Sequence, residues 1–143
     1  MRIALKTTMA VLVLLGLQAI VAYSSGPAPD LSGDYTREVA TDNDPHFYFS
    51  VKQTGSHAEI GFQGILHGGR GRELEGSGNG TVSSSGVLAF RFQDAHGNSG
   101  SGTFKRVGAR FICSMEPVEV KEPGVVPFYG EFYLTRDRGR KYN

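Results

Sequence analysis

The amino-acid sequence predicts an all-β domain, an antiparallel up-and-down barrel of about eight strands, with a two-sheet β-sandwich as the alternative closure. The first observation is a series of short segments, 87–93, 99–106, 109–115 and 128–135, in which apolar and polar residues alternate. Successive side chains of a strand point to opposite faces, so this alternation marks one buried side. The second is that all nine phenylalanines of the chain fall on that side. The third is that short turns join most segments, which makes consecutive hairpins and favours the barrel.

Residues 1–22 stand apart from this pattern. Arg2 and Lys6 precede an apolar run over 9–17 and then Ala19-Ile20-Val21-Ala22. This reads as a secretory signal peptide, because the run is shorter than the roughly 20 apolar residues of a membrane-spanning helix. No cysteine follows it to accept a lipid. The expectation is an exported product, periplasmic or secreted, with no stable membrane insertion after the signal is cleaved. Residues 23–32 contain Ser24-Ser25-Gly26-Pro27-Ala28-Pro29, a composition suited to a flexible linker. The barrel domain is expected over 33–136 and a charged tail over 137–143.

The chain carries 15 basic and 14 acidic residues, a formal net charge of +1. Losing Arg2 and Lys6 with the signal leaves it close to neutral, so charge points to neither nucleic acid nor an anionic membrane as partner. About 120 residues then remain, enough for a single core.

In chain order, the strands are expected at 33–39, 46–53 and 58–64, with Thr41-Asp42-Asn43-Asp44-Pro45 as the first turn and Thr54-Gly55-Ser56 as a tight hairpin. An irregular stretch over 65–72 leads into a glycine-rich strand at 73–83, where the alternation fails. Ser84-Ser85-Gly86, Asp94-Ala95-His96-Gly97-Asn98 and Val107-Gly108 form the next turns. Prolines 117, 123 and 127 keep the connection 116–127 out of any central strand, and no helix is expected. The inward side reads Leu88, Phe90, Phe92, then Gly100, Gly102, Phe104, then Phe111, Cys113, Met115, then Phe128, Gly130, Phe132, Leu134. Phe90, Phe92, Phe104, Phe111 and Phe132 are the candidate barrel interior. The inward Gly100, Gly102 and Gly130 suit the bends and close packing of a small barrel.

Gly33-Asp34-Tyr35 opens the first strand and Leu134-Thr135-Arg136 closes the last. In this the chain resembles the lipocalin-like, calycin-type barrels, whose first strand begins Gly-x-Trp and whose last strand ends near an arginine that packs over that indole. Here Tyr35 stands where the family has tryptophan. The resemblance covers 33–136 as architecture and implies binding within or around a barrel.

No constellation of side chains reads as a catalytic or metal centre, and no cofactor is expected. Asp94 and His96 offer two metal ligands without a third, and a solvated turn is the better reading. Asp42, Asn43 and Asp44 lack the twelve-residue calcium loop and read as turn formers. Glu116, Glu119 and Glu122 have no apolar surroundings to separate their pKa values and read as solvated charge. Gly68-Gly69-Arg70-Gly71-Arg72 lacks the spacing of a phosphate loop, but its arginines suit a carboxylate on a partner. His67, Arg70 and Arg72 are therefore the candidate partner-binding loop. Cys113 is the only cysteine, expected inward as a small hydrophobe, so no internal disulfide is available. Asn79-Gly80-Thr81 matches a glycosylation acceptor, relevant only to eukaryotic export.

These features point to an exported, non-catalytic binding protein. A small apolar molecule held in the barrel is one partner class. A protein partner is the other: an inhibitor or immunity protein blocking a hydrolase through barrel-end loops. Replacing Arg70 and Arg72 together by alanine is expected to leave stability within about 0.5 kcal/mol of the parent in chemical denaturation. An unfolded double variant would make the loop structural.

Overall fold

A computed structural model describes residues 26–39, 41, 44–65 and 73–139. The segment 1–22, the loop residues His67, Arg70 and Arg72, the turn residues Asp42 and Asn43, and the end of the tail lie outside them. Eight antiparallel strands close into a barrel in strict sequence order: β1 (Gly33–Arg37), β2 (His46–Thr54), β3 (His57–Ile65), β4 (Glu73–Val82), β5 (Val87–Asp94), β6 (Ser99–Val107), β7 (Arg110–Glu119) and β8 (Gly130–Arg136). The barrel closes where β1 pairs with β8, through Tyr35↔Arg136, Thr36↔Thr135 and Arg37↔Leu134. The expected barrel is therefore the fold, and the sandwich is not.

All nine phenylalanines are buried, together with Tyr35, Leu74, Leu88, Cys113, Met115 and Leu134. Their rings meet across the interior. Phe132 of β8 packs edge-on against Phe47 of β2 at 4.5 Å, Phe47 stacks on Phe62 of β3, and Phe62 meets Phe92 of β5 edge-on at 5.6 Å. A second chain of rings runs from Tyr35 to Phe104 at 4.7 Å, then to Phe49 at 5.1 Å and Phe90 at 5.6 Å. Contacts from β2 to β5 and β6 cross the barrel, so the five interior candidates Phe90, Phe92, Phe104, Phe111 and Phe132 belong to one filled core.

The glycine-rich β4 shows why the alternation fails there. Its inward positions are Leu74, Gly76, Gly78, Gly80 and Val82, so the pattern persists with glycine in the apolar slots. In register, Gly78 of β4 and Gly100 of β6 flank Phe92, while Gly80 and Gly102 flank Phe90. A Cβ at Gly102 would run into the Phe90 ring, and one at Gly76 into the Phe62 ring. At Gly78, Gly80 and Gly100 it would strike a carbonyl oxygen of the adjacent strand. These glycines admit the rings and let the strands curl together. Gly130 differs: it has φ +140°, is exposed, and has open space where a Cβ would stand.

Besides the inward placement of Gly130, three expectations need correction. Pro117 lies inside β7, paired with Gly100 beside a register shift at Ser99/Gly100. This is tolerated because β8 leaves the ladder at Met115↔Gly130, so the rest of β7 is an edge on that side, and prolines are accommodated at edges and bulges. The other two prolines enter a 3₁₀ helix, Pro123–Phe128, where no helix was expected. Glu122 caps it by accepting from the Gly124 N–H at 2.9 Å. β1 also ends at Arg37, earlier than 39, although the Glu38 N–H still reaches the Tyr133 carbonyl at 3.1 Å.

Phe92→Ala and Phe132→Ala are each expected to destabilise the protein by about 3–5 kcal/mol in chemical denaturation. Gly78→Ala, which adds one methyl against a backbone carbonyl, is expected to cost about 1–3 kcal/mol. Losses near zero at all three sites would contradict a filled interior.

Candidate functional site

The barrel has two different ends. One carries the 38–45 connection, the 66–72 loop, the β5–β6 turn and the β7–β8 connection; we call it the loop end. The other carries the β2–β3, β4–β5 and β6–β7 hairpins with residues 26–32, and we call it the hairpin end.

At the loop end, Asp94 continues the inward phase of Leu88, Phe90 and Phe92 and is 5% exposed, while Asn98 is fully buried. Asp94 Oδ1 accepts the His96 N–H at 2.8 Å and the Asn98 N–H at 2.9 Å, so the carboxylate builds its own turn. Its Oδ2 accepts from Asn98 Nδ2 at 3.0 Å and from the Tyr129 hydroxyl at 2.6 Å. Asn98 uses its whole side-chain amide. Its Oδ1 accepts from the Lys121 and Glu122 N–H groups at 2.7 and 2.9 Å, and its Nδ2 also donates to the Glu122 carbonyl at 3.1 Å. Three stations far apart in sequence thus become one polar knot, and every buried side-chain N and O in it has a partner.

The knot holds the β7–β8 connection across the barrel end as a strap. Val125 and Phe128 of the strap are buried. A Cβ on Gly64 would lie 2.8 Å from Phe128 Cδ1, so glycine there makes room for the ring. Tyr129 stacks on Phe92 at 5.1 Å while its hydroxyl reaches Asp94. Burial first, and then the hydrogen bond and charge of Asp94, push the Tyr129 hydroxyl well above the ordinary tyrosine range.

The turn read as solvated is therefore buried at two of its five positions. Asp94 does not face a metal with His96: its oxygens are taken by protein donors, and the His96 ring lies 3.1 Å from the Glu73 carbonyl oxygen. Among the described residues no three His, Cys, Asp or Glu side chains are grouped to hold a metal ion. Glu116, Glu119 and Glu122 are exposed. Cys113 is fully buried between the strands, and burial pushes its thiol far above the usual range, which keeps it neutral and unreactive. Asn79 lies exposed on β4. His67, Arg70 and Arg72 are outside the described residues, but their flanks, Ile65↔Glu73, pair at the loop end. The Ala95 N–H donates to the Glu75 carbonyl at 2.8 Å beside them.

Sequence reasoning missed Asn98 and Tyr129. Asn98 looked like an ordinary turn former, and Tyr129 fell on the outward side of the expected strand 128–135. Asn98 meets Asp94 within the β5–β6 turn, and only the crossing of the strap brings Tyr129 to it.

At the hairpin end, the Tyr35 hydroxyl donates to the Leu31 carbonyl at 2.6 Å and accepts from Arg136 Nη2 at 2.9 Å. The Arg136 guanidinium lies 5.4 Å from the ring centres of both Tyr35 and Phe111. Burial raises the Tyr35 pKa, and Arg136 opposes that shift. On the outer wall a shallow cleft of about 470 Å³ is lined by Tyr48, Ser50, Gln63 and Glu75 among others.

No protein-family model, curated protein or solved structure matches the chain.

Tyr129→Phe is expected to cost about 1.5–3 kcal/mol at neutral pH, the range for a hydrogen bond to a charged group. The folded state holds the Tyr129 proton more tightly than the unfolded chain, whose phenol titrates near 10.0. This contribution is therefore intact below that value and is lost as pH rises above it. Urea midpoints measured up the alkaline range should fall less steeply for Tyr129→Phe than for the parent; parallel slopes would contradict the assignment.

Proposed function

We propose that the protein is an exported, non-catalytic binding protein of lipocalin-like architecture that engages a protein partner through the loop end of its barrel. The filled interior carries this reading. Rings from β2 touch rings from β5 and β6, so an apolar ligand inside the barrel would have to displace phenylalanines whose burial stabilises the fold. Binding by surface loops on a rigid barrel needs no such displacement. The arginine-bearing 66–72 loop springs from the end where the strap and the β5–β6 turn are locked together, a firm base for a contact loop. A hydrolase blocked by these loops is the partner class that this arrangement suits.

The barrel's polarity supports a role in water. Its inward side is apolar and its outward positions include Lys52, Glu59, Gln63, Arg91, Gln93 and Lys105, the reverse of a lipid-facing barrel. A second reading, a carrier of a small apolar molecule, draws on Arg136 lying over Tyr35, the arrangement that lipocalin-like barrels build with tryptophan.

Native mass spectrometry of the protein isolated from its own cells discriminates between them. The expected outcome is a complex with a second protein that is lost in the Arg70→Ala, Arg72→Ala double variant while thermal unfolding of the barrel is unchanged. A small apolar mass retained by both forms would overturn this reading in favour of the carrier.

A further inference from the structure

At the hairpin end a cleft of about 310 Å³ opens between residues 29–31, the β4–β5 turn and the ends of β6, β7 and β8. Its apolar lining comes from Leu31, Val87 and Phe111, and its charged lining from Lys105, Arg106, Arg136 and Asp30. The register explains the charges. Lys105 pairs with Val87, Arg106 with Phe111, and Arg136 with Tyr35. Arg106 and Arg136 continue the inward phases of Phe104 and Leu134 one step past the core, so two guanidinium groups stand where side chains leave the barrel.

Among the described residues no salt bridge neutralises these cations, although Arg136 attracts the Asp30 carboxylate. Among the described residues neither Lys105 nor Arg106 has a carboxylate partner, and Arg106 spends only its Nε on the Gly108 carbonyl at 2.9 Å. Arg136 is held by Tyr35 and the ring faces. Among the described residues the one carboxylate lining the cleft is Asp30, which accepts the Ser32 N–H at 2.9 Å, a contact that lowers its pKa. Three cationic side chains against one carboxylate is a local excess in a chain of formal net charge +1.

We propose that this cleft binds a small organic carboxylate with an apolar body. The volume is at the lower end of small-molecule sites, which span about 300–1,000 Å³. The guanidinium fork matches a carboxylate, and the Leu31, Val87 and Phe111 surface takes the apolar part. A bare inorganic anion would leave that surface unused. The site is at the opposite end from the proposed partner-binding loop and stands independently of it.

Calorimetric titration of the purified protein with 4-phenylbutyrate, its neutral counterpart 4-phenylbutanol and inorganic phosphate tests this. The carboxylate is expected to bind, with the alcohol and phosphate at least about tenfold weaker. Lys105→Ala with Arg106→Ala should weaken carboxylate binding by about tenfold or more without changing the melting temperature, since both side chains are exposed. Asp30→Asn, which removes the opposing charge, should tighten it, a gain that loss of structure would not produce. Equal binding of the alcohol or of phosphate, an unchanged affinity in the double variant, or no carboxylate binding at concentrations on the order of millimolar would overturn the proposal.

Discussion

Phe90 and Phe92 sit on a strand whose two neighbours both offer glycine at the paired positions, and much of the barrel follows from that fit. A ring at each of those inward sites needs space that a side chain on β4 or β6 would fill. The glycines supply it, and they also let the strand backbones come close enough to curl. The rings then reach far enough inward to touch Phe49 and Phe62 from β2 and β3. With one cysteine and no disulfide, the fold rests on this aromatic packing, each ring pair adding about 0.5–1.5 kcal/mol beyond its buried area.

A filled interior moves the interesting chemistry to the ends, and the two ends are finished by different means. The loop end is sealed by a strap whose apolar plugs, Val125 and Phe128, are held by the Asp94, Asn98 and Tyr129 knot. A buried carboxylate is tolerable there because seven protein hydrogen bonds within the knot stand in for water around the Asp94 carboxylate and the Asn98 side-chain amide. The hairpin end is finished by Arg136 over Tyr35 and Phe111, an arrangement that leaves cationic groups facing outward. One end is thus closed by the strap, and the other is an electropositive cleft over an apolar floor.

The candidate loop 66–72 rests on composition alone, arginine on a glycine-rich irregular stretch, and lies outside the described residues. The polar knot was not. Asp94 carried the signature of a turn, and nothing within five residues says whether a turn is solvated or covered. That depends on the strap, whose contacts come from 23 to 35 positions further along, crossing over it. Pro117 failed for a related reason: proline excludes a central ladder position, but whether a given stretch of β7 is central is set by where β8 stops pairing.

The sequence by itself determined the strand count, the hairpin order and the buried side of the eight phenylalanines that lie on strands, because a strand's alternation is a local, period-two property of the backbone; Phe128, expected on a strand, is buried from the 3₁₀ helix instead. It also contained the glycine positions of β4, although their alternation was invisible, since a glycine on the inward face carries no apolar mark. Tertiary structure decided what those glycines face, which turn is buried and which charges converge on one cleft. Each of these is a relation between strands, fixed by closure and register, and residues as distant as Tyr35 and Arg136 meet only once the sheet has closed on itself.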